Sequence, residues 1–277
     1  MIKIPKNCKF YHVQQIQGLD KPTKGPFDLR KNIYQLLGNC DFKNKSVLEL
    51  GPASGFITFF LESLGAKVSC IDLSIKKDEW DTIPHVNVNW KKKQRLAMKD
   101  LSKVRNAFWF AHKQNKSNAK LIETHILKLP KSLPIHDYGL IATVLLHIQN
   151  PFLALRNMCS KVKERIIISD LVDDMGIVST KHRFKFSNIS KSLSSDYFNK
   201  NTFIKFLPRS NVMNLNYDTW WKLSPATIIE MMSILGFKKE KYLKHVQYCN
   251  NKPFDMYTIV FKRHVKIRKN LYFNNSK

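Results

Sequence analysis

The sequence predicts an α/β protein built on a doubly wound, mostly parallel sheet of seven strands. Three observations carry this. Short apolar runs of strand length recur at 46–51, 67–74, 119–126, 137–148 and 165–172. Segments with helical spacing of apolar residues lie between them, at 55–65, 95–113 and 151–162. The first strand runs directly into a glycine turn, Gly51-Pro52-Ala53-Ser54-Gly55. Strands this apolar, alternating with amphipathic helices, belong in a parallel sheet covered on both faces. Right-handed crossovers then leave few possible topologies.

Taken in order, residues 1–45 form an N-terminal flank with turn signals at Gly18 and Pro22–Pro26, a predicted helix over 27–38, and a possible role as a lid. The α/β domain spans 46–263. Its helix at 55–65 ends on Gly65, and the one at 95–113 aligns Leu101, Val104, Phe108 and Ala111 on one face, with Phe108-Trp109-Phe110 broad enough to pack against the lid. Asn150 and Pro151 supply an N-cap and a first helical position for 151–162. Residues 173–220, rich in Ser, Asn and Lys, break the alternation and read as an insertion. The pattern resumes with a helix at 224–237, capped by Ser224 and closed by Gly236, and with two strands at 240–248 and 255–263. A basic tail, 264–277, follows.

Composition narrows the functional classes. With 43% hydrophobic and 25% charged residues the chain is of the globular type. It has no apolar run of membrane-spanning length and no apolar core of signal-peptide length in its first 15 residues, so a cytoplasmic, non-membrane protein is expected. Five scattered cysteines without a Cys-x-x-Cys pair suggest neither a disulfide framework nor a zinc site. The formal charge is +26, carried by 38 Lys and 9 Arg. Such a charge attracts polyanions, RNA among them. Lysine spread along the whole chain also fits a general compositional bias, and Arg, the better phosphate and base reader, is scarce.

The glycine turn gives the sharpest chemical clue. A strand ending in glycines and followed by a helix presents backbone N–H groups at the edge where doubly wound folds bind ligands. Asp72 ends the next strand, 21 residues after Gly51, where a carboxylate accepts hydrogen bonds from two ribose hydroxyls. Glu49 precedes the turn by two residues. A carboxylate there opposes dinucleotide phosphates and suits a ligand with cationic parts. S-adenosylmethionine, with an ammonium and a sulfonium and no phosphate, therefore fits better than a dinucleotide. The competing reading is that Glu49 only pairs with a lysine.

At this point the chain resembles the class I S-adenosylmethionine-dependent methyltransferases. "VLELGPASG" is similar to their first motif, "VSCIDLS" to their second, and "DYGLIATVLLHIQNPFLALRNM" to their fourth strand and following helix. Their fold is Rossmann-like, and the likeness covers 46–172 and 224–263. A narrower likeness, through "FYHVQQIQGLDKPTKGPFDLR" and "YDTWWKLSPATIIEMMSILGF", is to a bacterial subgroup related to the tRNA wobble-uridine (carboxy)methyltransferases.

The resemblance implies that Glu49, Gly51, Ser54 and Gly55 surround the methionine part of the cofactor. Asp72 would hold the ribose and Leu73 would pack beside the adenine, with His125 and Ile126 at the adenine edge. His stands where the family often has an acid, and a neutral His accepts from an adenine amino group in only one tautomer. The strand end from Thr143 to His147 would face the sulfonium and the acceptor. Asn150-Pro151-Phe152 is not taken as the Asn-Pro-Pro-Tyr motif of amino-group methyltransferases, because it is an ordinary capping pair.

Methyl transfer is an in-line displacement with a neutral leaving group. Alignment does most of the work, and an acceptor hydroxyl or ammonium needs a base. His147 and His12 are the base candidates, with packing or capping as the alternative for each. Tyr11, Asp170, Tyr217, Trp220 and Trp221 are candidate substrate residues, and the tryptophans read equally as core. Arg183 and Arg209 lie in the insertion. The expected activity is methyl transfer to an O or N of a small molecule. Methylation of RNA, with plain or carboxylated cofactor, is the alternative, and a catalytically silent binding protein is a third. No metal is expected.

Overall fold

The computed structural model describes residues 2–75, 81–86, 89–172, 201–208 and 218–266. Its main sheet has eight strands in the order β1-β9-β10-β6-β5-β2-β3-β4. The parallel part comprises β2 (Ser46–Leu50), β3 (Lys67–Asp72), β4 (Lys120–Glu123), β5 (His136–Ala142) and β6 (Val162–Leu171). The antiparallel part is β9 (Phe237–Cys249), β10 (Lys252–Arg263) and β1 (Phe27–Asp28).

The eighth strand corrects the count of seven. It is β1, which lies where helix 27–38 was expected. Phe27 and Asp28 pair with Cys249 and Tyr248, so the open edge of β9 captures them. The helix is confined to α1 (Ile33–Leu36), and Gly38 at φ +69° follows it. A two-residue pairing of this kind depends on a partner 220 positions away, which local periodicity does not register.

The apolar run 137–148 is also not one strand. β5 stops at Ala142 because Thr143 takes φ +55°, and a 3-10 turn follows at Leu145–His147. The run 119–126 likewise ends as β4 at Glu123, with a 3-10 turn at Ile126–Lys128.

Helices cover both faces. On one face α1, α2 (Phe56–Ser63) and α3 (Trp90–Gln114) contribute Leu36, Ile57, Leu61 and Phe108 against Val47, Cys70, Leu140 and Ile167. On the other, α4 (Pro151–Ser160) and α5 (Pro225–Ile234) bring Leu155, Met158, Ile228 and Met232 against Leu48, Ile71, Ile141 and Ile168. Adjacent strand positions thus feed opposite cores, as the pleat requires. The two predicted caps form: Asn150 accepts from the Leu153 N–H at 3.0 Å and Ser224 from the Thr227 N–H at 3.1 Å. Each is worth about 1 kcal/mol. Of the insertion, β7 (Ile204–Phe206) pairs with β8 (Trp221–Leu223). Tyr217, Arg183 and Arg209 lie outside the described residues.

The chain proceeds from β2 outward to β3 and β4, then returns to β5 on the other side of β2. The ends of β2 and β5 therefore form the topological switch point, where open α/β sheets bind ligands.

Candidate functional site

The glycine turn sits at that switch point. Gly51 (φ +72°), Ala53 (φ +48°) and Gly55 (φ +88°) are all left-handed, and Gly55 is the N-cap of α2. A Cβ on Gly51 would come within 2.8 Å of Val144 Cγ2, and one on Gly55 would run into Phe59 and Phe108. Backbone conformation and the protein's own packing therefore already require both glycines. Ala53 and Thr143 adopt left-handed φ without being glycine, at a cost of about 1–2 kcal/mol each, and both flank the switch point.

The N-terminal flank closes over this turn. Ser54 is fully buried, and its hydroxyl accepts from the N–H groups of Tyr11 (3.1 Å) and His12 (3.3 Å). Its carbonyl accepts from Gln14 Nε2 at 2.9 Å. Thr23 donates to the His12 carbonyl, and Gly25 lies so close to His12 that a Cβ would be 2.5 Å from its carbonyl carbon. Phe10 and Ile16 anchor the loop in a small core with Ala107 and Ala111 of α3, and Phe110 meets Phe10 edge-on at 6.3 Å, whereas Trp109 is exposed. Ser54 is thus engaged by the flank, and Tyr11 and His12 are brought beside the turn. His12 is 8% exposed, its Nδ1 has no hydrogen-bond partner among the described residues, and burial lowers its pKa to about 4. The ring is neutral at pH 7.

Glu49 and Asp72 lie on one face of the sheet but differ in setting. Glu49 is 2% exposed, accepts from Thr58 Oγ1 at 2.6 Å and from the Cys70 thiol, and is pushed by burial to about pKa 7. Its partners are polar side chains of α2 and β3, not a lysine. Asp72 accepts the Leu73 N–H at 2.8 Å through Oδ1 and meets Arg105 Nη2 at 3.0 Å through Oδ2. Arg105, on α3, also donates to Glu123 at 2.6 Å and to the Leu73 carbonyl at 3.0 Å.

His125 caps the turn at Ile126–Lys128: its Nδ1 accepts from the Leu127 N–H at 3.1 Å. The ring's lone pair is spent there, so Nε2 carries the proton and faces Asp81 at 3.5 Å. In this tautomer the ring donates rather than accepts. Ile126 is buried in the core formed with α4 and α5. Asp81 links three segments: its carboxylate also accepts from the Gln149 N–H, and its carbonyl accepts from Trp220 Nε1 at 2.8 Å. Trp221 Nε1 donates to the Gln149 carbonyl at 2.9 Å. Both indoles are therefore held by backbone carbonyls, and the Trp220 N–H donates to the Leu146 carbonyl at 2.8 Å, which fastens the chain just before β8 to the 3-10 turn of Leu145–His147.

At the ends of β5 and β6 the structure gathers His147 and Asp170. His147 Nδ1 donates to the Asp218 carbonyl, which leaves Nε2 as an acceptor. Asp170 is 7% exposed, and burial raises it to about pKa 6 against the opposing effects of the Leu171 N–H, which its Oδ1 accepts at 2.8 Å, and of Lys222. Tyr11 is 40% exposed, and its ring lies against His12 at 5.0 Å and Phe27 at 4.8 Å. The Thr143 N–H donates to the Ser169 carbonyl at 2.8 Å, joining the two strand ends.

No protein-family model matches the chain, and no curated protein matches it in sequence. Solved structures do match in shape. A SAM-dependent methyltransferase from Methanosarcina mazei superposes with a TM-score of 0.53 at 10% identity, covering 84% of this chain and 99% of that one. The fold is that of the class I methyltransferases. Two others are similar at lower scores. Magnesium protoporphyrin IX methyltransferase from Synechocystis with bound SAH has a TM-score of 0.49 at 13% identity, covering 83% of this chain and 78% of that one. An N-methyltransferase from Bradyrhizobium japonicum with S-adenosylhomocysteine has 0.46 at 12% identity, covering 84% of each chain.

Arg105, Glu123, Asp81 and Gln14 contact the candidate site residues and were not singled out from the sequence. Arg105 carried a readable signal, since it follows Leu101 by four positions and precedes Phe108 by three on the apolar face of α3. A charge there requires a buried partner. The others depend on contacts between segments distant in sequence. Among the described residues no helix is long and apolar enough to cross a membrane, and no cluster of three metal-ligating side chains occurs.

Proposed function

We propose that the protein is an S-adenosylmethionine-dependent methyltransferase that methylates an oxygen or nitrogen of a small molecule. The observation that carries this is Asp72, a carboxylate at the strand tip next to a glycine turn at the switch point, with acceptor capacity left. Each carboxylate oxygen can accept two hydrogen bonds, and among the described residues each has one protein donor. One acceptor position per oxygen remains for the two hydroxyls of a ribose. Glu49, held near neutrality by burial, gains a counter-charge when a cationic ligand approaches. The residues therefore fit the cofactor at its nucleoside and cationic ends. At the methionine end we assign Tyr11 and His12 with Gly51 and Gly55, in place of the engaged Ser54; Leu73 stays beside the base.

When bound, S-adenosylmethionine supplies an activated methyl group whose departure needs no acid. The chain's own task is to align the acceptor and take up its proton. Asp170, near the end of β6, and Nε2 of His147, in the 3-10 turn that follows β5, are the bases we assign. Asp170, at about pKa 6, is mostly ionised at pH 7 and still basic enough to take a proton. The flank, residues 1–45, serves as a cover that excludes water, and five free cysteines suit a cytoplasmic location.

One observation favours a second reading, RNA methylation of the kind the wobble-uridine likeness implies. The first half of α3 exposes Lys91, Lys92, Lys93, Arg95 and Lys99 on a helix that borders the site. Calorimetry with S-adenosylmethionine and S-adenosylhomocysteine tests the cofactor, and absence of heat removes both readings. Transfer of labelled methyl into a small-molecule extract or into tRNA separates them, and binding without any transfer indicates a silent protein. Filter binding of tRNA at two salt concentrations adds a check, since phosphate contacts weaken steeply with salt.

A further inference from the structure

Arg105 is 2% exposed, yet its guanidinium is shared among three acceptors, the tip residues of two strands and the Leu73 carbonyl just after the first. Asp72 and Glu123 are direct neighbours in the parallel register of β3 and β4. An arginine serving only to neutralise one buried acid would do so best as a bidentate pair with both oxygens. Here it gives Asp72 a single contact at Oδ2 and Glu123 a single contact at Oε1, and its Nε has no partner among the described residues. The consequence is a carboxylate held in one rotamer without being saturated. We infer that Arg105 is a positioning residue for the nucleoside of the ligand: it orients Asp72 so that the carboxylate reads a vicinal diol. This rests on the methyltransferase reading above and deepens it at the ribose.

The charges around Asp72 explain why an arginine is needed. Burial raises its pKa, Arg105 from α3 and the Leu73 N–H lower it, and Glu123 from β4 raises it again. Glu49 from β2 lies close enough that Asp72 raises the pKa of its carboxyl in turn. Without Arg105, Asp72 is left near Glu49 and Glu123 with no cation paired to it among the described residues, and it takes up a proton more readily. A protonated Asp72 has lost acceptor capacity. The ligand then binds better as pH rises, because deprotonation restores the acceptor.

The test is calorimetric titration of the full chain with S-adenosylhomocysteine and with its 2′-deoxy analogue between pH 6 and 9. The wild type is expected to gain affinity for the parent compound only as Glu49 ionises near pH 7 and to change little above it, and to bind the deoxy analogue at least about tenfold more weakly. Arg105→Met is expected to weaken the parent compound at pH 7 by about tenfold or more, to recover affinity toward pH 9, and to discriminate little against the deoxy analogue. Arg105→Lys restores part of the affinity and decides the matter if the methionine variant fails to fold. Met98→Ala, a buried change on the same helix, controls for loss of helix stability: it lowers Tm and leaves affinity and pH profile as in the wild type. Arginine variants with wild-type affinity, pH profile and ribose discrimination overturn the inference, as does equal weakening by Met98→Ala. A wild type that binds no S-adenosylhomocysteine overturns the methyltransferase reading itself, a distinct result.

Discussion

Replacing Ser54 with alanine probes the junction between flank and turn. The Ser54 hydroxyl is the acceptor for two backbone N–H groups, those of Tyr11 and His12, at a site where Ser54 is fully buried and His12 is 8% exposed. Loss of the hydroxyl leaves these donors buried without a partner, at about 1–3 kcal/mol each. Partial relaxation brings the total to roughly 2–4 kcal/mol. In a domain of this size 1 kcal/mol moves Tm by about 2 °C, so the expected drop is about 4–8 °C. The flank can instead lift from the turn, which caps the loss and loosens the backbone around the already exposed Lys9 and Lys24 enough for trypsin to cut. Ser54→Ala is therefore compared with wild type by thermal denaturation and by limited trypsin digestion. Ser63→Ala, which removes an exposed hydroxyl at the other end of α2, serves as the control with a shift below about 1 °C. An unchanged Tm and an equally resistant flank refute the argument. A selective loss of cofactor affinity with the flank still resistant assigns Ser54 to the ligand instead.

Glu49 gives a pH signature. Its folded pKa of about 7 lies above the ordinary 4.5, so the folded state holds the proton more tightly, and stability falls as pH rises from 4.5 through 7. The difference corresponds to roughly 3 kcal/mol. Glu49→Gln flattens this part of the Tm–pH profile, and a flat wild-type profile contradicts the burial argument. Gly55→Ala meets both a φ of +88° and the rings of Phe59 and Phe108. It is expected to cost roughly 2–5 kcal/mol in denaturant unfolding, and a neutral result shows that α2 can shift. Asp170→Asn lowers the rate of methyl-label transfer and removes the rise in rate with pH near 6 that an ionising base produces; an unaltered pH–rate profile leaves His147 as the base.

Much of the fold and part of the site are legible in the amino-acid order alone. Apolar runs separated by amphipathic helices specify a covered parallel sheet, because each element must bury its own apolar face. The caps at Asn150 and Ser224 and the glycines at 51, 55, 65 and 236 are local, so they can be read without knowing the partners. Asp72 and Glu49 are legible through their spacing from the turn. What the tertiary structure decided rests on segments that meet only after folding. Strand β1 exists because β9 offers an edge. Ser54 faces the flank because Gln14, Tyr11 and His12 fold back across about 40 residues. His125 spends its lone pair on a cap, both tryptophans hold backbone carbonyls, and Arg105 joins the tips of two strands. The physical reason is that hydrogen-bond partners of buried polar groups are set by three-dimensional proximity, whereas hydrophobic period and turn chemistry are properties of neighbours along the chain.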